Sequence, residues 1–197
     1  MIAQQEALGD LKLYRIPEPV TVAAQSSKQV AMIDRKGIRF DRVYTGTFGS
    51  TYNQPSPSPS RPAALVLRTE NRDTNGLGLP LPAGRVAVFE AAGAEPMLVG
   101  ESDLKDRAVG DEVEFGVGMS SDVRYVIAPQ PRSRRRMPFT VRVTNARSTP
   151  ESFELAMPEK IASTSAALIE RKGHKVWRVV VPANGDASLS LVLKTRD

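Results

Sequence analysis

The acidic residues between positions 101 and 114 are the side chains whose types and spacing could do chemistry. They are Glu101, Asp103, Asp106, Asp111, Glu112 and Glu114. Two carboxylates about 5–9.5 Å apart in a cleft can hydrolyse a glycosidic bond, and six to eight oxygen ligands can hold Ca²⁺. The run lacks the twelve-residue calcium loop with its closing glutamate, so it favours two solvated turns that flank a strand. A carboxylate-based hydrolase or carbohydrate-active protein remains an alternative function.

Other catalytic patterns are missing from the sequence. It has no cysteine, its serines lie in no Gly-x-Ser-x-Gly or Ser-x-x-Lys motif, and Gly116–Gly118 is followed by no Lys-Ser or Lys-Thr. The single histidine, His174, lies in the cationic run Arg171–Lys175, which is typical of a solvated hairpin turn. Trp177 lies in an apolar strand, where core packing is expected. The sequence therefore predicts no catalytic residue, no metal ligand and no cofactor, and it favours a non-enzymatic protein.

One basic segment accounts for most of the excess positive charge. The formal net charge is +5, and Arg132–Arg136 (RSRRR) contributes Arg132, Arg134, Arg135 and Arg136. The arginines of such a segment could bind the phosphate or carboxylate groups of a polyanion. The affinity would then fall as the salt concentration rises. Only Phe139 is near enough in sequence to stack on a base, so binding to nucleic acid is not expected. The alternative is a solvated loop whose arginines pair with nearby acids.

The composition is ordinary for a globular protein. Hydrophobic residues make up 41% of the chain and charged residues 25%. No segment approaches the roughly 20 consecutive apolar residues that a membrane-spanning helix needs. The first ten residues, Met1–Asp10, lack the basic start and apolar run of a signal peptide.

Short apolar segments divided by turn residues predict a chain built from β-strands. In the first part these are Leu11–Ile16, Ala64–Arg68, Arg85–Glu90, Pro96–Gly100, Asp111–Val117 and Val123–Ile127; in the second part they are Phe139–Thr144, Ser152–Met157, Ala166–Glu170, Val176–Val181 and Ala187–Leu193. Most are rich in Val, Leu or Phe, and most are bounded by Gly, Pro, Asn or Asp. The pattern predicts an all-β fold made of two packed antiparallel β-sandwich or barrel units, the second immunoglobulin-like.

The basic, proline-containing segment near position 131 predicts a boundary between these units. We expect a β-sandwich or barrel domain over residues 1–130, a Pro/Arg linker over 131–137, and a small immunoglobulin-like domain over 138–197.

Three weaker local patterns complete the prediction. Gln29–Ile33 and Ile38–Tyr44 predict a hairpin around Asp34–Gly37. Gln54–Pro62 (QPSPSPSRP) predicts a long Pro/Ser loop, with a proline-rich partner motif as the alternative. Glu159–Ala167 is the best candidate for a short helix.

Three parts of the sequence carry a resemblance to a known family. They are Gly9–Pro19 with Ser27–Ile33, Leu79–Glu101 continuing to Gly110–Val123, and Thr140–Asn145 with Trp177–Asp186. Together they resemble the C-terminal β-rich domain of an uncharacterised bacterial family that includes mucoidy-inhibitor-like proteins. The resemblance implies two packed β-units and no established reaction. It also implies that the chain is a piece of a longer protein.

The resemblance also implies a location and a kind of partner. Longer members of that family are exported, so we expect a periplasmic or cell-envelope location. The expected function is that of a non-enzymatic interaction or scaffold module, with an envelope protein or glycan as its partner. Exposed sheet edges that can add a partner strand would be its binding surface.

Overall fold

Strands account for nearly all the regular structure of the described residues. A computed structural model describes residues 4–8, 11–16, 19, 21–49, 57–93, 95–131 and 136–194. The strands in these ranges are β1 (Gln4–Leu8), β2 (Leu11–Arg15), β3 (Asp41–Thr47), β4 (Arg61–Glu70), β5 (Gly84–Ala92), β6 (Glu95–Leu104), β7 (Glu112–Pro129), β8 (Arg136–Asn145), β9 (Glu151–Ala156), β10 (Ile161–Thr164), β11 (Ile169–Arg171), β12 (His174–Val181) and β13 (Gly185–Lys194). A short 3₁₀ turn lies at Asp73–Asn75. The all-β prediction is confirmed.

Nine of these strands form one mixed sheet. Their order is β10-β13-β8-β7-β4-β3-β9-β12-β11, and every neighbouring pair is antiparallel except β3 and β9, which run parallel. The hairpins β1–β2 and β5–β6 form two smaller sheets. Among the described strands, β10 and β11 are the two ends of the large sheet, and they do not pair with each other. The sheet is therefore not a closed barrel.

Alternating apolar residues give the large sheet one buried face. On β8, Phe139, Val141 and Val143 are buried, and the intervening residues point the other way. Strand β12 packs against β8 and β13, to which it is not hydrogen-bonded. The two halves of the sheet therefore curl over one shared core, which contains Tyr44, Tyr125, Phe139, Phe153, Leu155, Trp177, Leu189 and Leu191.

Strand pairing does not follow the predicted division near residue 131. Strand β7 pairs with β8 from Val123 opposite Asn145 to Pro129 opposite Phe139, so the two strands on either side of that segment are neighbours. Strand β3 pairs with β9, which again joins the first part of the chain to the second. The core likewise contains residues from both sides of the predicted boundary.

Two local predictions were wrong, and two predicted strand segments form one continuous strand. Gln29–Ile33 forms no strand, and the predicted partner strand begins only at Asp41, so the hairpin around Asp34–Gly37 does not exist. The segments Asp111–Val117 and Val123–Ile127 belong to the single strand β7. The helix candidate Glu159–Ala167 contains strand β10 instead, because pairing with β13 outweighs weak helix propensity. The Pro/Ser loop prediction lies partly outside the described residues; within it, Ser58 is buried against Ile127.

The β5–β6 hairpin packs on β7 at a glycine. A side-chain carbon at Gly100 would lie 2.1 Å from the carbonyl oxygen of Val117, so only glycine permits this approach. Farther along the hairpin, Phe89, Met97 and Leu98 are exposed.

Candidate functional site

Seven charged side chains from five strands of the large sheet and one turn form the most highly connected polar group of the described residues. This ion cluster consists of Arg68, Glu112, Glu114, Glu154, Arg171, Lys172 and Arg178. Arg68 lies on β4, the glutamates on β7 and β9, and the remaining cations on β11, on β12 and in the turn between them. The cluster therefore ties together strands from both predicted units.

Arg68 lies at the centre of the cluster. Its Nη1 and Nη2 donate to Glu154 Oε1 and Oε2 at 2.9 and 2.8 Å, a bidentate pair, and its Nε donates to Glu114 Oε1 at 2.8 Å. The side chains of Arg68 and Glu154 are 10% and 5% exposed. Because both charges are buried, each depends on the other for the interactions that water would otherwise supply.

Cations from the β11–β12 hairpin complete the pairing of the glutamates. Arg171 Nη2 lies 2.5 Å from Glu112 Oε1 and 2.6 Å from Glu114 Oε1, and Lys172 contacts both of the same carboxylates. Arg178 donates to Glu154 Oε1 from Nε at 2.8 Å. Each glutamate of the cluster therefore has at least two cationic partners.

This pairing holds the carboxylates in their charged form. Burial alone would raise the pKa of Glu114, but hydrogen bonds from Lys172 and Arg68 and the nearby charge of Arg171 lower it to about 2. Burial would likewise raise the pKa of Glu112, and its bonds from Arg171 and Lys172 lower it overall.

Glu154 behaves in the same way, and its partner Arg68 shows the complementary shift. Burial opposes ionisation of Glu154, and the bonds from Arg68 and Arg178 lower its pKa. Burial would lower the pKa of Arg68, but its hydrogen bonds to Glu154 and Glu114 raise it. A general acid needs a raised carboxyl pKa, so these glutamates are poorly suited to donate a proton.

A polar cavity of about 680 Å³ lies beside the cluster. Its walls come from the segment before β3 and from β3, β4, β7, β9, β12 and the 3₁₀ turn. The lining residues are Arg39, Asp41, Arg42, Val43, Arg68, Thr69, Glu70, Asn75, Glu112, Ser152, Glu154 and Arg178. Four of them are arginines and four are acids.

Two members of the predicted acidic site lie in the cluster, and the others lie elsewhere. Glu112 and Glu114 are on β7, where they share Arg171 and Lys172. Asp106 accepts a hydrogen bond from Ala83 N, and Asp111 accepts one from Ala108 N. These two therefore stabilise loops, while Glu101 and Asp103 are exposed on β6.

Most of the predicted arginine site lies outside the described residues. Only Arg136 is described; it is exposed at the start of β8, opposite Lys194 on β13. His174 is exposed next to the Lys172–Gly173 turn. Trp177 is 2% exposed and packs edge-to-face on Phe153 with ring centroids 6.2 Å apart, so its predicted role in the core is confirmed.

Sequence reasoning missed the centre of the cluster. Glu154 lies in the middle of the apolar segment Ser152–Met157, and Arg68 ends the apolar segment Ala64–Arg68. A charge inside a strand whose neighbours are buried needs a partner, and this was the available signal. The signal could not identify the partner, because the two residues are 86 positions apart.

A second cavity, of about 390 Å³, lies between the two ends of the large sheet. All four residues of β10 line it, together with Ala166, Ala167, Leu168, Ile169, Glu170 and Lys175. We call this cavity the edge slot. Its lining is mostly apolar or small, and two opposite charges lie on its β11–β12 side.

The described residues give no sign of a metal centre or a membrane-spanning helix. Within the described ranges, no three histidine or acidic side chains are grouped so that they could hold a metal ion. No helix in the same ranges is long and apolar enough to cross a membrane.

Comparisons with known proteins leave the family open. No family model matches the chain, and no curated protein matches it either. The resemblance to the family of mucoidy-inhibitor-like proteins therefore stays a prediction.

Proposed function

We propose that the protein is a non-enzymatic interaction module that binds an extended segment of a partner protein in the edge slot. The observation that supports this is that both terminal strands of the large sheet, β10 and β11, line one cavity without pairing with each other. Unpaired strand edges offer backbone N–H and C=O groups to an added strand.

The register of β10 identifies the backbone groups that are available. Ser165 N donates to Ser190 O on β13, and Thr164 lies opposite Leu191. Since backbone groups of successive residues point to opposite sides of a strand, the N–H of Thr164 points away from β13 and toward the slot. Strand β10 contains no charged residue or proline, the residue types that commonly protect an edge.

The slot also indicates the chemistry of its occupant. Ile161, Leu168 and Ile169 favour apolar side chains on one face of the added strand, and the alanines favour close approach. Glu170 and Lys175 can pair with charges at one end of the segment. The occupant is therefore an uncharged or mixed-charge strand with alternating apolar residues.

The chemistry of the ion cluster supports a binding role over a hydrolytic one. Glu112 and Glu114, the two members of the predicted acidic site that lie together, are both paired with cations and have lowered pKa values. Among the described residues, nothing favours a carboxylate-based hydrolase. Nothing there favours polyanion binding by the arginine-rich segment either. The envelope location and the immunoglobulin-like character of the strands after residue 138 remain predictions and belong to this proposal.

Substitutions at Thr164 test the proposal. A library of random seven-residue peptides is selected against the whole chain, and the affinity of a selected peptide is then measured by fluorescence anisotropy. Thr164→Pro removes the N–H that points into the slot, and the matched control Thr164→Ala removes the hydroxyl but keeps the N–H. We expect at least a tenfold loss of affinity for Thr164→Pro and less than a twofold change for Thr164→Ala.

Two further measurements serve as controls, one for unfolding of the variants and one for the hydrogen bonds of the peptide. Urea unfolding of both variants shows whether each is folded, and N-methylation of alternate peptide nitrogens removes the same hydrogen bonds from the peptide side. Equal affinity for the two folded variants, or full affinity of the N-methylated peptide, would contradict strand addition in the slot. Failure to select any peptide would also overturn it.

A further inference from the structure

We propose that the polar cavity is a binding site for a small organic anion, one that carries a phosphate or carboxylate group beside hydroxyl groups. The proposal rests on which charges in the cavity are already paired. It does not depend on strand addition, because the cavity and the edge slot share none of their lining residues.

Three of the four acids that line the cavity are already paired with cations of the protein itself. Glu154 is paired with Arg68 and Arg178, Glu112 with Arg171 and Lys172, and Glu70 with Arg72 at 2.8 Å. A cationic ligand would therefore compete with cations that are already in place. These three acids therefore offer a cation little attraction.

The charges left for a ligand are mostly positive. Among the described residues, the side chains of Arg39 and Asp41 have no hydrogen-bond or ion-pair partner, and Arg42 uses only Nη2, which donates to Tyr44 Oη at 3.1 Å. Arg178 binds Glu154 through Nε and Nη2, which leaves Nη1 available. The cavity is therefore lined by two largely unused guanidinium groups, part of a third, and one unpaired carboxylate.

The backbone holds the first of these arginines at the cavity. Arg39 N donates to Asn75 O at 3.1 Å, which ties the segment before β3 to the 3₁₀ turn. Arg42 follows on β3 itself, opposite Leu67 of β4. The two guanidinium groups are thus carried by a hydrogen-bonded segment and by a strand in the interior of the sheet.

Guanidinium chemistry identifies the class of ligand. Arginine presents planar, forked donors that match the paired oxygens of a phosphate or a carboxylate. The cavity is far larger than a phosphate ion, so it has room for an organic moiety attached to the anionic group. Asp41 and Ser152 can then bind hydroxyl groups of that moiety, as a sugar phosphate or a sugar acid would offer.

The test uses four probes on the whole chain, with affinity measured by isothermal titration calorimetry. Glucose 6-phosphate and glucuronate carry the two candidate anions, glucose is the neutral analogue, and inorganic phosphate is the anion without an organic moiety. We expect one or both sugar anions to bind at least tenfold more tightly than glucose and than inorganic phosphate. Their affinity should fall as salt is raised, because the cavity is open to solvent ions.

The double variant Arg39→Ala/Arg42→Ala separates this site from general positive charge. It should weaken the sugar anion at least tenfold, while the matched control Arg35→Ala/Arg85→Ala, which removes two exposed arginines outside the cavity, should change affinity less than twofold. Equal effects of the two double variants, equal binding of glucose, or no binding of either sugar anion would overturn the proposal. Peptide affinity in the edge slot should be unchanged in Arg39→Ala/Arg42→Ala.

Discussion

The ion cluster and the edge slot belong to the same sheet, but they differ in whether their polar groups already have hydrogen-bond partners. In the cluster, Arg68 and Glu154 are buried and satisfy each other with two hydrogen bonds. In the slot, the backbone groups at the outer sides of β10 and β11 have no partner among the described strands. The charges of the cluster are therefore committed to partners within the fold, whereas the uncharged edge strand β10 is where a partner can add hydrogen bonds.

The largest expected effect comes from breaking the centre of the cluster. Glu154→Ala leaves the buried guanidinium of Arg68 without its bidentate partner, so we expect a loss of about 3–5 kcal/mol in the free energy of unfolding. Urea unfolding measures it. The control is Glu70→Ala, which removes an exposed ion pair with Arg72 and should cost less than about 1 kcal/mol. Similar losses in the two variants would contradict the contrast between buried and exposed pairs.

A smaller effect should appear as acid sensitivity. The pKa of Glu114 is about 2 in the folded protein against a usual value of 4.5. A lowered folded pKa stabilises the protein above the unfolded pKa, and this stabilisation is lost as the pH falls through the folded pKa. Between about pH 6 and pH 2 the wild type should therefore lose about 2 kcal/mol more than Glu114→Gln does. Unfolding free energies of both proteins across that range measure the difference, and parallel pH profiles would exclude it.

Removing a peripheral partner should cost less again. Arg178 is half-exposed, and Glu154 keeps both bonds from Arg68 when Arg178 is lost. We expect Arg178→Ala to reduce the free energy of unfolding by about 1 kcal/mol, as for other partly exposed pairs. A loss as large as that of Glu154→Ala would mean that Arg178, and not Arg68, is the main partner of Glu154.

The smallest effect on stability is expected at the edge. Ala162 is an exposed residue of β10, so Ala162→Lys should change the free energy of unfolding by less than about 0.5 kcal/mol. The same charge placed at the edge should weaken a bound peptide, since lysines on edge strands oppose pairing. A large loss of stability with unchanged peptide affinity would reverse the comparison between cluster and slot.

Local pattern was enough to predict most of the strands. In Ala187–Leu193, for example, Leu189, Leu191 and Leu193 alternate with smaller residues, and these leucines are buried on β13. Alternation of apolar and polar residues indicates which side chains share a face of a strand, and burial of that face determines the register of the strand. Strand β10 was not predicted from the sequence, because its four residues, Ile161–Thr164, are too few to show a period.

The pairing of strands and the charged site could not be predicted in the same way. Nothing local to Tyr44 or Phe153 indicates that these residues lie opposite each other on parallel neighbours. The cluster depends on this pairing, since Arg68 reaches Glu154 past β3. Long-range partners of charged residues are set by topology, and one sequence by itself does not contain that information.

The parallel pairing of β3 with β9 has a consequence for how the chain reaches its fold. These strands are joined near the middle of the sheet, yet about a hundred residues separate Val43 from Ser152. Contacts between distant parts of a chain must overcome a large loop-closure entropy before they become favourable, and they slow folding. During synthesis, the edge of β3 that later pairs with β9 therefore remains unpaired until β9 has been synthesised. The first half of the chain is exposed to aggregation in that interval, and the second half completes the sheet.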